Sequence, residues 1–468
     1  MIQFLKKNYL LIAILLLAAF LRLYKISDYM EFLGDQGRDV VIVRDFLKNG
    51  NLFFIGPQTS IGNMYLGPFY YYVIMAPALL IANFNPVGPA IFVALLGVLT
   101  VYFAFYISQK WFNSKTAYIS ALLMAISPVI IKYSNFSWNP NILPLFSLLF
   151  IYFLWEKKII LATLSFIMAI NSHYLALSLL PLALIIWFLK KYSFKATLIA
   201  ILLFIFSLTP QILFDLKHQG QNIKSITTFF TQRETTVNLK PYKSLIKMPT
   251  IYHQLVTSSL SARNFNLGIA VSIFLLLGSV YLLVKKRTPA LLLIVGWIIS
   301  SVIILGLYKQ HLYDHYFGFV FPAFFILTGY LLSKINKYLS IIILIILVSF
   351  SVLNTNFKYP GPKQLETTKT IVKQIISTAD NRPFNFALLA KQNYDPGYRY
   401  FFYESQSPLK NIQEQLTDQL FVVCEPWQID CQPINNPEWA VAAFGWAKID
   451  KQWETNGIKI YQLSHTKI

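Results

Sequence analysis

Long apolar runs recur almost from one end of this chain to the other, and nothing else in it constrains the fold so tightly. They occupy Tyr9–Leu23, Pro89–Tyr106, Leu198–Leu208, Ile269–Val284, Ala290–Leu307 and Leu339–Val352. A helix needs about 20 mostly apolar residues to cross a ~30 Å hydrocarbon core. The chain therefore reads as an α-helical polytopic membrane protein. Composition agrees: of 468 residues, 56% are hydrophobic and 13% charged, whereas soluble proteins carry about 25% charged residues. A cytosolic enzyme, a disordered chain and a small disulfide scaffold are excluded.

The net charge of +20 invites a nucleic-acid reading, but its location removes the need for one. Residues 354–468 hold 12 Lys/Arg and 11 Asp/Glu, whereas residues 1–353 hold 28 against 9. Basic residues in loops between spans orient helices and meet anionic lipid. The bilayer, and no nucleic acid, is the expected partner. Lys6 and Lys7 ahead of an apolar run resemble a signal peptide, but Leu21-Arg22-Leu23-Tyr24 follows with no small-residue cleavage pattern. An uncleaved first span is the expectation.

Basic clusters fall at Lys6/Lys7, Lys110/Lys115, Lys157/Lys158, Lys190/Lys191/Lys195, Lys285/Lys286/Arg287 and Lys334/Lys337. Short Lys/Arg-rich loops stay cytoplasmic. All six clusters fall inside only if Phe69–Phe84 lies along or dips into the outer face without crossing. That choice gives about eleven transmembrane helices: 8–24, 88–109, 116–133, 141–155, 159–171, 175–189, 196–214, 266–284, 288–307, 316–333 and 338–353. The N-terminus is then cytoplasmic in a multi-pass plasma-membrane protein. The first loop (25–87), the long loop 215–265 and the C-terminal region face outward.

Residues 1–353 form the membrane domain and 354–468 a small extracytoplasmic α/β domain. The latter mixes a helical stretch, Lys363–Thr378, with strand-like runs at Phe384–Leu389, Leu420–Cys424 and Ile458–Leu463. Both cysteines lie here, as Cys424-x6-Cys431. On an oxidising outer face they suit a disulfide; two buried thiols are the plainer alternative. No C-x2-C spacing suggests zinc.

Among the acids of the membrane domain, Glu31, Asp35, Asp39 and Asp45 fall within fifteen positions of the first loop. A helix there would align Glu31, Asp35 and Asp39 on one face. Val40–Leu47 reads as an amphipathic helix closed at Gly50. The alternative for Asp35 is a helix N-cap, with Arg38 and Asp39 on a wet face. Tyr65, Tyr70 and Tyr71 flank a Gly-Pro break and suit either an aromatic belt or a platform for a sugar or lipid head group. Ser134–Asn141 is a plain turn or, through Trp138 and Asn139, a hydroxyl-binding loop with a ring to stack on a sugar. Asn135-Phe-Ser137 fits a glycosylation sequon in a loop with little room for one.

Lys309, His311 and His315 stand at an outer helix end, as interfacial anchors or as a grip for a lipid phosphate. No metal site is assigned to the two histidines, which lack a Glu after the first. A divalent metal is left open as a cofactor. Lys217, Lys224, Arg233, Lys240, Lys243, Lys247 and Arg263 against Glu234 make the long loop basic.

The order of these parts resembles the GT-C class of integral membrane glycosyltransferases. The likeness is closest to the family-39-like group related to protein O-mannosyltransferases and the lipid A aminoarabinose transferase. It spans residues 1 to about 350 and is strongest across 31–141. It implies an inverting glycosyltransferase that moves a sugar from a polyprenyl-phosphate donor to an extracytoplasmic acceptor hydroxyl on a lipid, glycan or protein. Asp35, in Gly34-Asp35-Gln36-Gly37-Arg38-Asp39, matches the position of that class's catalytic base. The chain departs from the group at Gln36, where many members have Glu, and at Leu66-Gly67-Pro68-Phe69, where they carry an acidic-Lys-Pro-Pro stretch.

A leaving phosphate needs no proton, so one carboxylate suffices where a glycosidase needs two. Asp39 and Arg38 would position substrate, while Lys309, His311 and His315 would steady the phosphate. The rival expectation is a secondary transporter or flippase of a lipid-linked or anionic substrate. It is disfavoured because the acids cluster in an outer loop rather than at mid-bilayer. A membrane receptor with a sensing tail would leave the first-loop acids unexplained.

Overall fold

The computed structural model describes residues 2–60, 62–231, 240–425 and 431–466, without the side chains of 2–7, 241 and 243. The chain divides into two compact units: residues 1–24, 51–82 and 88–359 form the first, and residues 25–50, 83–87 and 360–468 the second.

The first unit is helical. Val87–Trp111, Phe265–Lys285 and Pro289–Leu307 are long and apolar enough to cross a membrane by length and composition alone. Phe194–Ser207 and Thr209–Lys217 make a further candidate, bent by 42° where Pro210 withholds a backbone N–H. Shorter apolar helices are Asn8–Leu23, Ser114–Ile126, Asn139–Trp155, Ile159–Ser172, Tyr174–Leu189, Phe321–Lys334 and Lys337–Leu353. Together these eleven lie where the apolar runs place spans. Tyr70–Ile81 stands apart. It opens as a π-helix, Tyr70–Met75, and continues as Ala76–Ile81.

Phe321–Lys334 is buried nearly all round, as a helix at the centre of a bundle must be. Arg22 interrupts the first apolar run for a structural reason. Its buried guanidinium donates to the carbonyls of Ala18 (3.1 Å), Ala125 (3.0 Å) and Met124 (3.3 Å). The last two belong to the C-terminal turn of Ser114–Ile126, where carbonyls lack helical partners and a cation meets the negative end of the dipole.

The expected long loop 215–265 is instead largely helical, as Gln221–Thr231 and Pro241–Leu260. The Asp215 carboxylate starts the first of these by accepting the N–H groups of Asn222 (2.7 Å) and Ile223 (3.1 Å). The second buries Ile251, Leu255, Val256 and Leu260, a one-sided stripe too sparse to stand out as an apolar run.

The second unit contains a four-stranded sheet of order β1-β2-β4-β3, formed by β1 (Asn385–Leu389), β2 (Gln419–Cys424), β3 (Ala447–Thr455) and β4 (Ile458–His465). β1 and β2 run parallel and the other pairs antiparallel. Cys424, ending β2, is disulfide-bonded to Cys431. β3 escapes sequence reading because it is an exposed edge strand, Ala-Lys-Ile-Asp-Lys-Gln-Trp-Glu-Thr, whose charges guard an open edge.

The first-loop helix Gly34–Asn49 belongs to this unit and packs on helix Pro396–Glu404. A Cβ at Gly37 would lie 2.2 Å from the backbone N of Gly397, so only glycine permits the approach. The Phe32 ring packs tilted against Phe401 at 5.8 Å, and the Phe32 N–H donates to Gln364 Oε1 at 2.9 Å. Lys363 N–H donates to Asp28 O at 2.9 Å, and the Tyr400 hydroxyl donates to Phe84 O. Gly37→Val must force the two backbones apart, at a cost of about 3 kcal/mol or more. Thermal unfolding of the purified protein should show a lowered midpoint, with faster protease cleavage within 360–468.

Candidate active site

Asp35 lies in the first turn of Gly34–Asn49, but it is not the cap. The side chain of Gln36 turns back to accept the Leu33 N–H at 3.0 Å, the reciprocal half of a capping box. The Asp35 carboxylate is left for other partners. Its Oδ1 accepts from Arg38 Nη1 at 3.0 Å and from the Tyr394 hydroxyl; among the described residues both bonds fall on that oxygen. The side chain is 40% exposed. Glu31 precedes the helix, so the expected row of three carboxylates reduces to Asp35 and Asp39.

Arg38 bridges that pair. Its Nε and Nη2 donate to Asp39 Oδ1 at 2.9 and 2.7 Å while Nη1 reaches Asp35. Asp39 is fully buried, and a buried carboxylate needs such a partner. The guanidinium is thereby fixed between two acids, a planar fork with little freedom.

Sequence reading missed Tyr394, which comes from 359 residues further along the chain. A Cβ at Gly34 would fall 2.2 Å from its ring, so the glycine before Asp35 makes room for the phenol. Burial pushes the Tyr394 hydroxyl above the ordinary phenol range, with Arg38 acting the other way, so it stays protonated and donates. Asn393 next to it accepts the Gly34 N–H at 2.7 Å and donates to Glu425 Oε1 at 2.7 Å. Burial raises the Glu425 carboxyl against the bonds from Asn393 and Tyr398.

The remaining expected site residues lie in the first unit. Tyr70 and Tyr71 are buried, and the Tyr70 hydroxyl shares a 2.8 Å hydrogen bond with Ser137 Oγ. Tyr65 N–H donates to Asn222 Oδ1 at 2.9 Å, and its carbonyl accepts from Tyr174 Oη at 2.6 Å. Asn139 Nδ2 donates to Ser172 O at 2.7 Å. The Trp138 ring packs tilted against His315 at 4.5 Å, with His173 6.3 Å from the same imidazole. Desolvation lowers His315 to about 4 and, with some repulsion from His315, lowers His173 to about 3. At neutral pH both are uncharged, so His315 can hydrogen-bond a ligand but brings it no cation. Lys309 and His311 are exposed, His311 edge-on to Tyr313 at 4.6 Å.

Among the basic residues expected around this end, Arg263 pairs with Asp314 and Lys247 donates to Tyr308 O at 3.2 Å. Arg233 and Glu234 lie outside the described residues. No three His, Cys, Asp or Glu side chains gather as metal ligands among the described residues.

No protein-family model matches the sequence, and no curated protein matches it. Solved structures do. ArnT from Cupriavidus metallidurans bound to undecaprenyl phosphate aligns over 98% of both chains, with a TM-score of 0.65 and 12% identity. Its apo form gives 0.64 over the same shares. AglB, the archaeal oligosaccharyltransferase from Archaeoglobus fulgidus, in complex with an inhibitory peptide and a dolichol-phosphate, aligns over 89% of this chain and 70% of its own, at 0.50 and 13% identity. The chain has the GT-C fold of a multi-pass membrane protein.

Within the second unit, Glu404 clasps the helix that carries Asp35. Although burial opposes it, the bonds from Lys48 (2.7 Å) and Arg44 hold its carboxyl below the usual range. A carboxylate lowered on folding stabilises the fold above its unfolded pKa, and that gain is lost as pH falls through the folded value. Glu404→Gln should lower stability at pH 7 by about 1 kcal/mol and shrink the loss seen on acidification below about pH 4.5, as read by thermal melts across pH.

Proposed function

We propose that this chain transfers a sugar from a polyprenyl-phosphate donor to an acceptor hydroxyl, with Asp35 as general base. The observation that carries the reading is the state of the Asp35 carboxylate. One oxygen is held by Arg38 and Tyr394, and the side chain is 40% exposed in the first turn of its helix. That leaves a lone pair oriented to take a proton from an incoming hydroxyl. The oxygen so activated attacks the anomeric carbon as the lipid phosphate leaves from the opposite face, and the sugar inverts. The donor class is supported by the fold shared with ArnT bound to undecaprenyl phosphate and AglB bound to dolichol-phosphate. Lys309 and His311 are assigned to the lipid phosphate, with Trp138, Asn139, Tyr65, Tyr70 and Tyr71 shaping the donor side. Arg38 and Asp39 keep Asp35 in place.

Chain connectivity supports the orientation. The chain enters the second unit at Lys25, leaves after Gly50, returns for 83–87 and enters finally at Pro360. A folded polar unit keeps to one face of a bilayer. Segment 51–82 therefore begins and ends on that face, and the ten apolar helices between 87 and 353 bring the chain back to it. The basic clusters at Lys110, Lys157, Lys190, Lys285 and Lys334 fall on the other face, which is the cytoplasmic one by their charge. Asp35 and the C-terminal region are thus extracytoplasmic, and the N-terminus is cytoplasmic.

Asp35→Asn should cut transfer from a radiolabelled polyprenyl-phosphate sugar by about 10²–10⁴-fold while the protein still folds in membrane. Near-normal turnover removes the assignment. Tyr394→Phe, which keeps the ring and deletes one hydrogen bond, should lower kcat about tenfold, the worth of one hydrogen bond to a charged group, without changing KM for the donor.

A further inference from the structure

A second feature of the 360–468 region adjoins Tyr394 and takes no part in holding Asp35. A cavity of about 230 Å³ opens there. Its lining includes Ala387 and Leu388 of β1, the amides of Asn411 and Gln413, and the rings of Tyr394 and Trp439. Trp439 is 61% exposed at the start of helix Trp439–Phe444, a costly place for an indole with nothing to cover.

The lining has the chemistry of a sugar subsite. A saccharide ring offers an apolar C–H face to stack on an aromatic plane and a rim of hydroxyls that both donate and accept. Primary amides match those hydroxyls because each carries both kinds of group. The charges present are engaged: Arg399 is paired with Asp395 within the lining, and Glu438 caps its own helix through the N–H groups of Ala440 and Val441. No unpaired cation is left in the lining to take a phosphate, so the lipid donor is the wrong occupant. A neutral sugar is the right one.

We infer that this cavity binds a saccharide unit of the acceptor, with Trp439 stacking on its ring. Tyr394 ties the subsite to the chemistry, since its ring lines the cavity while its hydroxyl bonds to Asp35. A sugar seated there lies one phenol ring from the carboxylate that would take its proton. Calling that sugar the acceptor rests on the glycosyl-transfer reading; that the cavity binds a sugar does not.

The test uses the full-length protein in lipid nanodiscs and a panel of soluble neutral oligosaccharides built from hexose and N-acetylhexosamine units. Saturation-transfer NMR and titration measure binding. The expected result is binding by members of the panel that Trp439→Ala weakens about tenfold, the worth of a lost aromatic contact. Trp439→Phe should recover most of it, and Asp35→Asn should bind as the wild type does. Trp439 is exposed, so its variants keep the fold. Failure of every panel member to bind, or binding that Trp439→Ala leaves unchanged, overturns the subsite. Saccharide binding that depends on Trp439 in a protein that releases no polyprenyl phosphate supports the subsite and overturns the Asp35 reading instead.

Discussion

Everything at this site depends on the contact of two backbones at Gly37 and Gly397. Because Gly37 has no side chain to strike the Gly397 backbone, the helix after the first span lies directly on a helix formed 360 residues later. The chain thereby builds one folded unit from pieces that its membrane helices separate. Asp35 is placed by that unit and not by a hydrophobic span. A carboxylate among apolar side chains would be driven toward its neutral form. Here it keeps two hydrogen bonds and a part-exposed side chain.

The electrostatic design is economical. Arg38 is shared between a buried acid and an exposed one, so the guanidinium satisfies Asp39 and aims Asp35 with the same planar group. Tyr394 adds a neutral donor whose burial keeps its proton on. Glu425 and Asn393 carry the restraint further back, to the N–H of Gly34. In the first unit His315, expected to help hold the phosphate, is desolvated and neutral. Positive charge at that end therefore belongs to Lys309 and the exposed basic residues, while Trp138, Tyr133 and His315 form an aromatic cluster.

Much of this was legible in the sequence. The apolar runs gave the helices, because burial in lipid leaves little choice of residue. Gly50 and the pattern of Val40–Leu47 gave the first-loop helix, and continuous β-branched and aromatic runs gave β1, β2 and β4. What escaped had physical reasons. Helix Pro241–Leu260 buries a narrow stripe under a polar exterior, and edge strand β3 carries four charges in nine residues. Tyr394 stands in an ordinary-looking loop, and its meeting with Asp35 is tertiary, so no local pattern marks it. Gln36, read as a departure from a family pattern, has a plain local use as half of a helix cap.

The central claim is that a bond at a sugar's anomeric carbon is broken here and remade with inversion. The direct measurement supplies purified protein with an anomerically defined, isotopically labelled polyprenyl-phosphate sugar and an acceptor. NMR then reads the configuration of the product alongside the free polyprenyl phosphate released. The account predicts the opposite anomer and one lipid phosphate freed per sugar transferred. Retained configuration, or movement of the intact lipid-linked sugar across a bilayer with no bond cleaved, would contradict it.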